Sequence, residues 1–246
     1  MDRMIYTAMV GAKEVMLRQA ANNHNLANVN TTGFRADLDA FSPQPVYGPG
    51  YPSRVLVQDE RLGVDFSPGS IITTGRDLDT AVKGQGFITV QASDGSEAYT
   101  RAGDLRINSA GVLETGAGHP VMGNDGPIAI PPYEKLEIGT DGTISIKPLG
   151  QSAATLAVVD RIKLVNPPLS ELHKGQDGLL RRSDGQLAPA EASVALASGA
   201  LESSNVNMVD ALVTMIELSR QYEMNVKMMH AAEEEDSASA SLLRLA

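Results

Sequence analysis

The 246-residue sequence contains no cysteine and no tryptophan, and aromatic side chains make up only 4% of it. Without cysteine there are no disulfides, no thiolate metal ligands and no cysteine nucleophile. Without tryptophan, and with few Tyr and Phe, a sugar-stacking surface is thin. No stretch approaches the ~20 apolar residues of a membrane-spanning helix. The opening MDRMIYTAMVGAKEVMLRQAANNHN has neither a continuous apolar segment nor a small-residue cleavage site, so no secretory signal peptide is expected. Positive charge is scarce too. Net charge is −10 and the 20 basic residues are scattered, with Arg181-Arg182 the densest pair, so nucleic acid is not an expected partner.

Constellations for chemistry are equally thin. There is no Gly-x-Ser-x-Gly, and His24, His119, His173 and His230 stand in unrelated contexts without helical metal-ligand spacing. Gly84-Gln85-Gly86 lacks the third glycine and the following helix of a phosphate loop, and reads as a turn. Asp77 with Asp79, Glu233 with Glu234, and the acidic run Glu233–Asp236 read as solvated carboxylates, since nothing marks a cleft around them. The sequence therefore predicts a protein that is not an enzyme, with no cofactor and no metal site.

Hydrophobic residues at 42%, with 23 Gly and 13 Pro, describe a modest core crossed by many turns. Over residues 2–27, Ile5, Met9, Ala12, Met16, Gln19, Asn23 and Leu26 recur at alternating four and three spacing, with Met4, Ala8, Val15 and Ala20 widening the stripe, which predicts a long amphipathic helix. It ends in NNHNLANVNTTGF, where asparagines are concentrated although they are mediocre helix formers. That stretch reads as a helix C-terminus and a turn, with Asn tolerating left-handed geometry and Gly33 taking a positive φ. From Ser42 to Ser70, Pro/Gly-rich text predicts a loop or extended connector.

From 71 to 195, short apolar segments alternate with turn residues, including Asp-Gly pairs at 94–95, 125–126, 141–142, 177–178 and 184–185. This predicts a β-rich domain, with Ala157–Val165 its clearest strand, ended by Pro167-Pro168. Asn207, with Asp210 three residues on, predicts a capped helix running to about 243. Its seam is Met208, Leu212, Met215, Ser219, Tyr222, Val226 and Met229, and its length on the order of 50 Å.

This layout predicts an α+β fold in which long N- and C-terminal α-helices pack as a helical hairpin or coiled coil, with a β-rich domain inserted between them. The divisions are an N-terminal helix over 1–34, an extended connector over 35–70, the β-rich domain over 71–195, and a linker with the C-terminal helix over 196–246. Ala, Gln and Asn dilute the first seam, and Met and Ser soften the second. Such helices are expected to be completed by neighbouring molecules.

NLANVNTTGFRAD resembles the segment that closes the N-terminal helix in the rod and hook family, the axial proteins of the bacterial flagellum. GSEAYTRAGDLRINSAGVLETGAGHPVMG is similar to that family's core β segment, and GALESSNVNMVDALVTMIELSRQYEMNVKM to its closing helix. The three stand in the family's order and span nearly the whole chain. His24-Asn25 before Leu26 and Val112 after Gly111 depart from the common pattern. MDRMIYTAM, Gly33-Phe34-Arg35-Ala36, PSRVLV and the overall length resemble proximal rod subunits more than the longer distal ones.

The resemblance implies a structural subunit that leaves the cell through the flagellar type III export apparatus without a cleaved signal. It would polymerise, with copies of itself and with other rod proteins, into the basal-body drive shaft within the periplasm, transmitting torque from motor to hook. A distal rod or hook-type subunit is the alternative within the family; a secreted β-rich carbohydrate-binding or hydrolytic domain is the alternative outside it. The implied subunit interface takes Ile5, Met9, Met16 and Leu26 from the first helix. Its joint takes Asn25, Ala27, Asn28, Thr32, Gly33 and Phe34, and the returning chain Asn205, Val206 and Asn207. The second helix adds Leu212, Met215, Ser219, Tyr222, Val226 and Met229.

Overall fold

A computed structural model describes residues 3–45, 55–150 and 156–245. The chain opens with α1 (Arg3–Ala27), followed by β1 (Asp37–Pro45), β2 (Val55–Val64), β3 (Ile71–Thr73), β4 (Thr80–Lys83), β5 (Phe87–Gln91) and β6 (Glu97–Thr100). Next come β7 (Leu105–Ile107), β8 (Leu113–Thr115), β9 (Tyr133–Ile138), β10 (Thr143–Pro148), β11 (Ala157–Arg161) and β12 (Leu164–Val165). Then β13 (Leu172–Lys174), β14 (Leu180–Arg182), β15 (Ala195–Ser198) and β16 (Ala200–Glu202) lead to α2 (Met208–Leu245). Two compact units result: one of Met1–Asn28, Asp37–Gly63 and Val206–Ala246, the other of Val29–Ala36 and Val64–Asn205.

In the first unit, α2 starts where the cap chemistry demands. Asn207 Oδ1 accepts the Val209 N–H at 3.0 Å and the Asn207 carbonyl accepts that of Ala211, so first-turn donors are satisfied. The end of α1 is closed differently from expectation. Among the described residues no side-chain-bearing residue has a positive φ; Asn28 Nδ2 instead donates to the His24 carbonyl at 2.9 Å. The asparagines terminate the helix through their amides, and Gly33 alone takes the left-handed turn, at φ +65°. Within the stretch expected as a loop or extended connector, β1 and β2 pair as a two-stranded sheet.

The predicted coiled-coil hairpin is not supported. The described residues contain two α-helices, at the ends, around a large β-rich middle, and the residues expected in the seams are split between buried and exposed positions. Met9 is 49% exposed, Met16 56% and Leu212 40%, while Ala8, Ala12 and Val15 in α1 and Ala211, Leu218 and Ala232 in α2 are buried. The physical reason is size. The helices touch through small groups: Gly11 lies against Asn225, where an added Cβ would sit 3.2 Å from Oδ1, and Asn22 Nδ2 donates to the Ala211 carbonyl. Met9 and Met16 lie outside this contact.

The second unit is a stack of small antiparallel sheets, the largest ordered β12-β5-β6-β14-β13 and the next β11-β10-β9, with pairs β15-β4, β16-β3 and β7-β8. Every predicted Asp-Gly turn places its glycine at positive φ. The expected single strand over Ala157–Val165 is two: β11 pairs with β10, β12 with β5. Between them Ile162 donates to Gly142 and Lys163 to Met122, carrying the chain from one sheet to the other. The shortage of aromatics is visible in the core, where Ile88, Val90, Leu105, Leu113, Val121, Ile128 and Ile144 form an aliphatic cluster. Phe87 and Tyr99 anchor a smaller one. The Tyr99 hydroxyl accepts the Ala188 N–H, and burial pushes its pKa up to about 12.

Candidate functional site

Strand alternation in β16 puts Ala200 and Glu202 on the inward face, so a carboxylate enters the second unit beside an alanine. Glu202 is 1% exposed. Its Oε1 meets Arg35 Nη2 at 2.6 Å and accepts the Gly69 N–H at 3.0 Å; its Oε2 meets Arg101 Nη1 at 3.1 Å. Arg101, just beyond β6, also donates to the Val82 and Gly84 carbonyls, and its guanidinium lies 5.2 Å from the Phe87 ring centroid. Arg35 Nη1 donates to the Ser67 carbonyl. Burial lowers the Arg101 pKa from its ordinary value; the Glu202 carboxylate opposes the shift and the Arg35 guanidinium adds to it.

Backbone ties surround this triad. Gly33 N–H donates to the Glu202 carbonyl at 2.8 Å, and Asn205 N–H to the Phe34 carbonyl at 3.3 Å. Asn205 Oδ1 accepts the Ala36 N–H, while its Nδ2 donates to the Asp65 and Ser67 carbonyls. Lys174 Nζ sits 3.8 Å from the Phe34 ring centroid and donates to the Arg35 carbonyl. In the first unit, Asn25 binds the Asp37 main chain in both directions, Nδ2 to O and N–H to Oδ1, each at 2.9 Å. His24 Nδ1 lies 2.8 Å from Asp37 Oδ2.

The predicted interface residues fall into three groups. Met9, Met16, Ala27, Asn207, Leu212 and Ser219 are exposed. Ile5, Asn25, Leu26, Asn28, Thr32, Gly33, Asn205, Val206, Met215, Tyr222, Val226 and Met229 are half-buried. Phe34 is buried inside its own chain. Tyr6 and Leu17 on α1, and Val209, Val213 and Ile216 on α2, are exposed apolar residues that the seam reading passed over. A second apolar stripe at 209, 213 and 216 was the available signal. Arg35, Arg101 and Glu202 carry no role in the sequence reading either; only Glu202 lies in a strand, and no local pattern links the three. Each lies in a different one of the three segments that carry the flagellar resemblance.

Among the described residues no group of three or more His, Cys, Asp or Glu could hold a metal, and no helix is long and apolar enough to cross a membrane. The arrangement of Arg35, Arg101 and Glu202 ties three distant segments together.

The class suggested by these segments is matched by two family models. The flagellar hook protein FlgE/F/G D1 domain covers residues 81–146, and the flagellar basal body rod FlgEFG protein C-terminal covers residues 197–242. The chain is 41% identical to flagellar basal-body rod protein FlgF of Escherichia coli (strain K12) and 39% identical to that of Salmonella typhimurium, with 100% of each chain covered in both alignments. It is 30% identical to flagellar basal-body rod protein FlgG of Bacillus subtilis, over 95% of this chain and 96% of that one. The chain belongs to the flagellar basal-body rod protein family, and is a structural subunit of the rod rather than an enzyme.

Proposed function

We propose that this chain is a proximal-rod subunit of the FlgF type that polymerises with copies of itself and with other rod proteins, and transmits torque from motor to hook. The observation that carries the reading is the row of exposed large apolar side chains on the terminal helices: Met9, Met16 and Leu17 on α1, and Val209, Leu212, Val213 and Ile216 on α2. Exposed apolar surface of this extent marks an interaction face. The identities to FlgF of Escherichia coli and Salmonella typhimurium, 41% and 39%, exceed the 30% to FlgG of Bacillus subtilis, which favours the proximal over the distal position. Passage through the flagellar type III export apparatus and a place in the rod within the periplasm belong to the same reading, on the family resemblance.

The test is a Met9→Glu, Leu212→Glu double variant expressed in cells lacking their own copy. Both positions face solvent, so circular dichroism and melting of the purified subunit should stay close to the parent, while basal bodies lack the subunit and motility is lost. Normal rods containing the variant would overturn the reading. Cryo-EM of purified basal bodies fixes its position along the rod.

A further inference from the structure

Two buried cations share one buried carboxylate: Arg35 is 4% exposed, Arg101 6% and Glu202 1%. The triad is therefore asymmetric. Removing Arg35 leaves Arg101 and Glu202 as a neutral pair, whereas removing Glu202 leaves two like charges buried together, a costly state. The anchors are asymmetric as well. Arg101 is fixed to the sheet body by Val82, Gly84 and the Phe87 ring, all within a few strands of it. Arg35 arrives on residues 29–36, a segment distant in sequence from the rest of its unit, and holds it through the Ser67 carbonyl and Glu202.

The same segment is attached at its backbone by separate hydrogen bonds to 202, 205 and 65, not by membership of a sheet. We infer that residues 29–36 form a strap that docks last on a completed β unit and releases from it as a piece, with the Arg101–Glu202 pair remaining as its neutral dock. Although this segment is synthesised before the strands that receive it, its arginine has a counter-charge only after β16 is in place.

Hydrogen exchange on the full-length protein tests this, because the Gly33 and Ala36 amides are strap bonds and those of Leu113 and Val121 are core bonds. In the unaltered protein, Gly33 and Ala36 should exchange through an opening insensitive to low urea, while Leu113 and Val121 follow global unfolding. Arg35→Gln should speed exchange at Gly33 and Ala36 by roughly tenfold or more, the scale of a lost charged hydrogen bond, and leave Leu113 and Val121 unchanged. Glu202→Gln should speed all four. The strap is refuted if Gly33 and Ala36 share the urea dependence of the core in the unaltered protein. It is equally refuted if Arg35→Gln accelerates the core amides along with the strap. The first of these readings needs no variant, so a failure of Glu202→Gln to fold leaves the test intact.

Discussion

Gly33 lies against the backbone of Arg101: a Cβ built on it would come within 2.2 Å of the Arg101 carbonyl carbon. With φ at +65°, the position is closed to side chains both by conformation and by space. Gly33→Ala should therefore destabilise the protein by about 2 kcal/mol or more, combining left-handed strain with overpacking against backbone that cannot swing away. Urea unfolding would measure it. A neutral result would mean that the turn and strand β6 are not held together in solution.

Phe34 and Met16 both belong to the interface that the family resemblance implies, and burial separates them. Phe34→Ala removes a buried ring lying under the Lys174 ammonium and should cost about 3 kcal/mol of folding stability. Met16→Ala, at an exposed site, should stay within about 0.5 kcal/mol of the parent. Denaturation of purified subunits would separate the two, and equal losses would contradict the assignment of Met16 to a free face.

Asn207→Ala deletes the side-chain acceptor of the Val209 amide at the start of α2. An expected loss of about 1 kcal/mol should appear as faster exchange confined to the first turn. Loss spread along the whole helix would show that the cap nucleates α2 rather than merely closing it.

Two aspartates should respond to acid in opposite directions. Burial, with Asp79 adding to it, pushes the Asp104 carboxyl up, so its ionised form opposes folding at neutral pH. Asp104→Asn should raise Tm at pH 7, and the gain should fade as pH falls through the raised folded pKa and the parent itself becomes protonated. Hydrogen bonding by Arg181 holds the Asp177 carboxyl below its ordinary value. Its contribution is present above the unfolded carboxylate pKa and lost as pH falls through the folded one. Asp177→Asn should therefore lower Tm at pH 7 and converge with the parent in acid. Melting curves across pH 2–8 would check both signs, and a shared direction would contradict the assignment.

Local chemistry made much of this legible in the sequence. Asn207 places the start of α2, the Asp-Gly pairs place five tight turns, and the absence of large aromatics foretells an aliphatic core. Where two solutions satisfy the same local pattern, the sequence is silent. In α1, Met9 and Met16 stand on the same broad stripe as Ala8, Ala12 and Val15, and periodicity alone does not say which of them is buried. Close approach of the helices selects the smaller residues. Glu202 and its two arginines were hidden for another reason: their meaning depends on segments 35, 101 and 202 converging, which no local window contains.

The contact of Gly11 with Asn225 carries one more consequence. A Cβ at Gly11 would stand 3.2 Å from Asn225 Oδ1 and 3.4 Å from its Nδ2, so a side chain there makes the Asn225 amide give by a few tenths of an ångström. Gly11 is thus the place where the first helix makes room for a polar side chain of the second.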